Sequence, residues 1–142
     1  MKDKILYIDD EFENLEGFKF AFLRKYEVYT ALDTAEAEKI IQQKEIKVVV
    51  CDQRMAPEEG IDFIKRIQPI YPQIIYTLLS GYADIQMVME AINAGHIYRF
   101  LTKPMDYKEM VQTLENAIDK YNLELSNLNL LEELKKKNTE LS

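Results

Sequence analysis

Short apolar runs and longer stretches of helical periodicity alternate along this chain. Five of the runs have the length and the β-branched or aromatic content that are typical of strands. They span residues 5–8, 28–30, 48–51, 74–79 and 98–101. The third run begins Val48-Val49-Val50, and consecutive apolar positions of this kind are typical of strands that are buried on both faces.

The segments between the runs carry apolar side chains at spacings of three and four residues, which indicate amphipathic helices. The apolar positions are Phe12, Leu15, Phe18, Phe22 and Leu23 in the first helix, Ala37, Ile40 and Ile41 in the second, Ile61, Ile64 and Ile67 in the third, and Met87, Val88, Ala91 and Ile92 in the fourth. Asp33 with Glu36, and Asp106 with Glu109, have the spacing of capping boxes and indicate two helix starts. We therefore predict an α/β fold with a doubly wound, five-stranded parallel sheet, helices on both faces and right-handed crossovers.

Composition limits the classes of function. The 142 residues suit one domain with an appendage, and 30% charged residues are ordinary for a globular protein. A net charge of -7 disfavours binding to nucleic acid or to anionic lipid. No apolar stretch approaches the roughly 20 residues of a membrane span, and the N-terminus does not resemble a signal peptide. The single cysteine, Cys51, supports neither a disulfide framework nor a zinc site. We expect a cytoplasmic protein with no direct contact to nucleic acid or membrane.

Charged and polar side chains follow four of the predicted strands at their carboxyl ends, where parallel sheets bind ligands. They are Asp9, Asp10 and Glu11 after the first strand, Asp52 after the third, Ser80 after the fourth, and Lys103 with Pro104 after the fifth. Taken singly, each aspartate can be a turn or cap residue, and Ser80-Gly81 can be an ordinary turn. Lys103 is different, because a cation near a helix start is unfavourable for the helix dipole. Together, these carboxylates, the hydroxyl and the ammonium are what a divalent cation and a phosphoryl group require.

These residues resemble the motifs of the response-regulator receiver family. The matching segments are Ile8-Asp9-Asp10-Glu11, Val50-Cys51-Asp52-Gln53-Arg54-Met55, Leu78-Leu79-Ser80-Gly81-Tyr82-Ala83 and Leu101-Thr102-Lys103-Pro104. The resemblance covers residues 4 to about 120, with the key positions in the family's order. It implies a flavodoxin-like sheet of strand order 2-1-3-4-5, Mg²⁺ as cofactor, and a sensor histidine kinase or phosphotransfer protein as phosphoryl donor.

The resemblance also implies a role for each matching residue. Asp52 is the expected phosphoryl acceptor, and Ser80 and Lys103 are each expected to contact a phosphoryl oxygen. The expected metal ligands are Asp10, Asp52 and the backbone carbonyl of Arg54, with Asp9 acting through a metal-bound water. The chain is thus expected to be a signalling domain with at most slow self-dephosphorylation, and not an enzyme.

Two further features follow from the same resemblance. The peptide bond before Pro104 is expected to be cis, and only an X-Pro bond makes that conformation inexpensive. Phe100, three residues before Lys103, occupies the place of an aromatic side chain that turns inward when Ser80 moves. The alternative for Phe100 is an ordinary strand residue of the core.

The loop after Asp52 departs from the family's pattern. A proline commonly lies four residues after the acceptor, but here that place is Ala56 and the proline is Pro57, whereas Gly60 keeps its usual place. Arg54 and Tyr82 lie two residues after Asp52 and Ser80 and are both bulky. These two places tune phosphoryl lifetime in the family, so we expect a long-lived phosphorylated form.

We divide the chain into a receiver domain, residues 1–120, and a C-terminal helical extension, residues 121–142. Apolar residues continue across this boundary at Leu114, Ile118, Tyr121, Leu125 and Leu128, followed in a shifted phase by Leu131, Leu134 and Leu141. Such a stripe predicts a parallel coiled coil, a homodimer and a link to an output domain or effector. The alternative is one long amphipathic helix packed on its own domain.

Three rival functions remain at the level of sequence. A phosphatase of the haloacid-dehalogenase type also uses a nucleophilic aspartate, but it needs a second acid at the position of Arg54. A flavin carrier of the same topology needs a Ser/Thr-rich phosphate loop where this chain has Asp9-Asp10-Glu11. A receiver-like module that never carries phosphate is disfavoured by the complete set of site residues.

Overall fold

The computed structural model describes residues 1–141, apart from the side chains of Tyr82, Glu140 and Leu141. Within residues 1–141, five strands alternate with five helices. The strands are β1 Lys4–Ile8, β2 Glu27–Ala31, β3 Val48–Asp52, β4 Ile75–Ser80 and β5 Arg99–Thr102. The helices are α1 Phe12–Phe22, α2 Thr34–Gln43, α3 Gly60–Ile67, α4 Ile85–Asn93 and α5 Tyr107–Leu141, with a 3₁₀ turn at Tyr82–Asp84 before α4.

All strand pairs are parallel, and the order across the sheet is β2-β1-β3-β4-β5. This order confirms the predicted topology. Each predicted strand lies within one or two residues of the observed bounds. The positions of Asp52 and Ser80 differ by one residue from the prediction, because these residues end β3 and β4 and do not begin the loops that follow.

Side chains of alternate strand residues enter two hydrophobic layers, one on each face of the sheet. Val48 and Val50 contribute to the layer under α1 and α5, whereas Val49 and Cys51 contribute to the layer under α2, α3 and α4. All of β3 is buried, as its continuous apolar run predicted. The central strand therefore holds Asp52 at a position that the core fixes from both sides.

The last helix, α5, leaves the body of the domain part of the way along its 35 residues. Leu114, Ile118 and Tyr121 are buried against the sheet, and Leu125 is half-buried at its edge. The described leucine side chains beyond Leu125 are exposed, at 38–57% of their surface for Leu128, Leu130, Leu131 and Leu134. The predicted seam therefore has two parts, since its first half belongs to the domain's own core and only the residues after Leu125 are free to face a partner.

The predicted division at residue 120 remains a prediction, and Leu141's side chain and Ser142 lie outside the described part of the chain. Within residues 1–141, none of the helices combines the length and apolar content that crossing a bilayer requires.

Candidate functional site

Three aspartates meet at the carboxyl ends of β1 and β3. Asp9 and Asp10 follow β1, and Asp52 ends β3, which pairs directly with β1. One carboxylate oxygen from each of the three lies within 4.8 Å of the other two. Sequence reasoning thus placed these three residues together correctly.

Asp9 is buried and its carboxylate is fixed by three donors. Its Oδ2 accepts hydrogen bonds from the Tyr7 hydroxyl at 2.8 Å and from Asn14 Nδ2 at 3.1 Å, and its Oδ1 accepts from the Glu11 N–H at 3.0 Å. These bonds orient the side chain before any ligand arrives. The Tyr7 pKa is raised far above its usual range, first by burial and then by the neighbouring Asp9 carboxylate, so this tyrosine remains a proton donor to Asp9.

Asp52 is only 2% exposed and forms an ion pair with the Lys103 ammonium through Oδ1. The Lys103 ammonium is the donor that faces this oxygen. Burial raises the pKa of Asp52, Lys103 opposes that shift, and Asp9 and Asp10 add to it. The carboxylate is therefore short of compensating positive charge.

The donor set fits Mg²⁺. This cation prefers oxygen ligands, and the three carboxylates supply them from positions within 4.8 Å of one another. A divalent cation would also relieve the mutual repulsion of the three carboxylates. The residues that would hold the ion are the predicted ones, Asp9, Asp10 and Asp52 together with the backbone carbonyl of Arg54.

Lys103 reaches Asp52 from the loop after β5. Its backbone N–H donates to the Ser80 carbonyl at 3.0 Å, which holds the loop against the end of β4. The Lys103–Pro104 peptide bond is cis, as expected, and the Ala56–Pro57 bond is cis as well. Phe100 is half-buried against the layer under α2, α3 and α4, and its switching role stays a prediction.

The loop after Asp52 is organised by a glutamine that sequence reasoning did not single out. The side chain of Gln53 is fully buried, its Oε1 accepts from the Ile61 N–H at 2.8 Å, and its Nε2 donates to Glu59 at 3.0 Å. Its carbonyl accepts from the Gly60 N–H at 3.1 Å. Gln53 thus connects the end of β3 to the start of α3, although an amide beside Asp52 carries no distinctive pattern in the sequence.

The Ser80 hydroxyl has a partner that sequence reasoning missed. It donates to Asp84 Oδ2 at 2.9 Å, and Asp84 Oδ1 accepts from Arg54 Nη2 at 2.8 Å. Asp84 is only 4% exposed. In the sequence Asp84 looks like an ordinary residue at a helix start, so only the three-dimensional contacts reveal it. The Tyr82 side chain lies outside the described part, and its expected effect on phosphoryl lifetime remains a prediction.

This sheet, with its acidic cluster and lysine at the carboxyl edge, defines a signalling domain of the two-component type. The chain belongs to the response regulator receiver domain family, whose family model matches residues 5–115. Membership in this family identifies a signalling domain and disfavours the phosphatase and flavin-carrier alternatives.

Relatives and solved structures agree with this assignment. The chain is 30% identical over 120 residues to the hydrogenase transcriptional regulatory protein HoxA of Bradyrhizobium diazoefficiens, covering 84% of this chain and 25% of that protein. A response regulator receiver domain protein from Clostridium thermocellum is 31% identical, with a TM-score of 0.80 over 85% of this chain and 98% of that chain. A structure described as the adenylate cyclase from Rhodopirellula baltica is also 31% identical, with a TM-score of 0.89 over 93% and 98% of the two chains. The chain spans about a quarter of the length of the HoxA relative.

Proposed function

We propose that this chain is the phosphoryl-accepting domain of a two-component response regulator and that Asp52 is the acceptor. The observation that carries the proposal is the setting of Asp52. Its buried carboxylate, at the end of the central strand, lies close to the carboxylates of Asp9 and Asp10 and forms an ion pair with the Lys103 ammonium. A phosphoryl group on Asp52 would carry its negative charge into a place that already holds an ammonium ion and a cation-binding cluster.

The donor is a phosphohistidine of a sensor kinase or of a phosphotransfer protein. An oxygen of the Asp52 carboxylate attacks the phosphorus, so that a P–O bond forms while the P–N bond breaks. The electron pair of the broken bond stays on the imidazole nitrogen. A carboxylate is a weak nucleophile, and the site compensates by alignment and by charge stabilisation.

The side chains of this chain have separate tasks in the transfer. Asp9, held by its three donors, and Asp10 would hold Mg²⁺ together with Asp52. When bound, Mg²⁺ supplies positive charge to the phosphoryl oxygens and neutralises the carboxylate cluster. Lys103 exchanges its ion pair with Asp52 for one with a phosphoryl oxygen, and Ser80 donates to another.

Incubation of the full chain with acetyl phosphate and Mg²⁺ should add a single phosphoryl group. Acetyl phosphate is a suitable test donor because acetate leaves as the acceptor oxygen attacks. Intact-mass spectrometry measures the adduct, and peptide mapping should place it on Asp52. A parallel sample with EDTA should remain unmodified. An adduct on Ser80, or no adduct at all with Mg²⁺ present, would contradict the proposal.

We also propose that α5 relays the phosphorylation state to an output domain or effector and pairs with a second copy of the chain. Support comes from the helix itself, which runs without a break from beside the Lys103-Pro104 loop to an exposed leucine-rich segment. A continuous helix can transmit a shift at its base without a flexible joint. The acidic composition and the free, buried Cys51 suit a cytoplasmic protein that does not contact DNA through this domain.

Removing residues 127–142 should weaken dimerisation and leave phosphorylation intact. The cut falls after Leu125, so the part of α5 that packs on the domain is retained. Burying a leucine contributes about 1.5–3 kcal/mol, and loss of several should raise the dimer dissociation constant by at least about tenfold. Analytical ultracentrifugation of both lengths measures this change.

A matched pair of substitutions tests the leucines without truncation. Leu131→Gln combined with Leu134→Gln should weaken the dimer, whereas Glu132→Gln combined with Glu133→Gln, on the same turns, should not. A full-length chain that stays monomeric at high micromolar concentration, with and without phosphorylation, would rule out the homodimer.

A further inference from the structure

The carboxylate of Asp84 is buried between two partners that belong to the acceptor site. Its Oδ2 accepts from the Ser80 hydroxyl at 2.9 Å and its Oδ1 accepts from Arg54 Nη2 at 2.8 Å. Asp84 is 4% exposed, whereas the Arg54 side chain is 60% exposed. Each carboxylate oxygen thus accepts a hydrogen bond from a different part of the sheet edge, since Arg54 follows β3 and Ser80 ends β4.

The Asp84 side chain does not cap α4, the helix that it precedes. It stands at the N-cap position of α4, yet its side chain accepts no capping hydrogen bond, and its backbone (φ -101°, ψ 4°) lies outside the extended region usual for a cap. Asp33, at the same position of α2, accepts a hydrogen bond from the Glu36 N–H at 2.8 Å in the ordinary way. The stability of α4 therefore does not account for the placement of Asp84.

We propose that Asp84 is a positioning residue that restrains Ser80 until Asp52 is phosphorylated. We call the contact of Asp84 with Ser80 and Arg54 the Asp84 latch. The proposal rests on the proposed function, because Ser80 must contact the phosphoryl group for the latch to oppose anything. A hydroxyl has one proton to donate. Two acceptors lie within reach of the Ser80 hydroxyl, Asp84 Oδ2 at 2.9 Å and the Gly81 carbonyl at 3.2 Å. Asp84 Oδ2 is the nearer one and is charged, so it competes with a phosphoryl oxygen on Asp52 for the Ser80 proton.

Opening the latch leaves a buried oxygen in need of a donor. When Ser80 turns to the phosphoryl group, Asp84 Oδ2 loses its partner, and a buried carboxylate oxygen without a donor is unfavourable. Arg54 can compensate in part, since a guanidinium can bind both carboxylate oxygens at once. Arg54 lies two residues after Asp52, so the latch joins the acceptor loop to the 3₁₀ turn and the start of α4. Release of Ser80 is thereby coupled to the segment that leads into α4.

Removing the Asp84 carboxylate should make the phosphorylated state easier to reach. The probe is beryllofluoride, a phosphoryl mimic formed from beryllium chloride and sodium fluoride, together with Mg²⁺. Fluorine NMR of the full chain measures its affinity. Asp84→Ala should tighten binding by about tenfold, the change expected when a competing hydrogen bond to a charged group is lost. Asp84→Asn retains an oxygen that can accept from Ser80, so it should keep most of the wild-type affinity.

A double-mutant cycle separates the latch from general disruption of the loop. In a Ser80→Ala background, Asp84→Ala should change the affinity by less than about twofold, because the hydroxyl that the latch restrains is gone. Asp33→Ala removes a true helix cap elsewhere and should leave the affinity unchanged. Thermal unfolding of each variant verifies that it is folded at the temperature of the titration.

The outcomes distinguish this inference from the proposed function. If the wild type binds the mimic and accepts phosphate from acetyl phosphate, but Asp84→Ala does not tighten binding, the latch is wrong and the proposed function stands. Equal tightening with and without the Ser80 hydroxyl would also overturn the latch, since the effect would then not pass through Ser80. A wild type that neither binds the mimic nor becomes phosphorylated would overturn the proposed function and the latch together.

Discussion

Replacing Asp52 with asparagine should abolish the phosphoryl adduct completely. The amide has nearly the shape of the carboxylate but no nucleophilic oxygen anion, so acetyl phosphate and Mg²⁺ should leave the mass of the variant unchanged. Intact-mass spectrometry compares it with the wild type under the same conditions. Glu58→Gln is a useful control, because Glu58 is an acid in the loop after β3 whose carboxylate pairs with Arg66 and not with the site. It should be phosphorylated as the wild type is.

The same substitution should also change stability, in a direction that the Asp52 pKa defines. Burial raises this pKa in the folded chain. The stabilisation from protonating Asp52 is complete below the ordinary pKa of aspartate and is lost as the pH rises through the raised value. At neutral pH without Mg²⁺ the ionised carboxylate therefore destabilises the fold, and Asp52→Asn should unfold at a higher urea concentration than the wild type.

Mg²⁺ should reverse this order of stability, so that the wild type unfolds at a higher urea concentration than Asp52→Asn. A ligand that binds only the folded state stabilises it, by about 1.4 kcal/mol when its concentration is some ten times the dissociation constant. The wild type should gain this stability from Mg²⁺, and Asp52→Asn, which lacks one of the ligands, should gain much less. An Asp52→Asn variant that retains the adduct would show that Asp52 is not the acceptor. One that gains as much stability from Mg²⁺ as the wild type would show that Asp52 is not a metal ligand.

Gly60→Ala should destabilise the folded domain by roughly 1–3 kcal/mol or more, the usual effect of forcing an extra group into a packed site. A Cβ atom at Gly60 would lie 2.4 Å from the backbone carbonyl oxygen of Asp52 and 3.0 Å from Leu78 Cδ1. The first of these contacts is with backbone at the end of the central strand, which cannot move aside easily. Urea denaturation followed by circular dichroism measures the loss.

A second glycine provides the matched control. Gly17 lies on the exposed side of α1, and an added Cβ would meet nothing within 4 Å. Gly17→Ala should stabilise the domain by about 0.5–1 kcal/mol, because alanine is the better helix former. If Gly60→Ala were as harmless as Gly17→Ala, the close approach of α3 to Asp52 would not exist in solution.

The sequence predicts most of this fold because the parallel sheet leaves a strong pattern. Strands such as β3 carry a continuous apolar run, and the helices beside them repeat every three or four residues. Asp9, Asp10, Asp52 and Lys103 were predictable for a related reason, since the carboxyl ends of adjacent parallel strands must converge at one edge. Local patterns, together with the strand order that the family resemblance implies, suffice for these residues.

The contacts that escaped prediction depend on side-chain direction and on long-range packing. Asp84 and Asp33 have the same appearance at a helix start, but one carboxylate points to the site and the other caps its helix. Likewise, Ile118 and Leu131 are both large aliphatic residues of α5, and spacing alone cannot tell that Ile118 is buried in the domain while Leu131 is exposed. The point at which α5 leaves the sheet is set by the extent of the sheet, which no local pattern records.

The departure of α5 from the domain gives the helix the mechanics of a lever. About 16 residues of α5 extend past Leu125, and at 1.5 Å per residue they form an arm of roughly 24 Å. A tilt of about 5° at the base would displace the far end of such an arm by roughly 2 Å, on the same rise per residue. In the proposed relay, motions at the site that are too small to rearrange the sheet would therefore become movements of roughly 2 Å at the end of the helix.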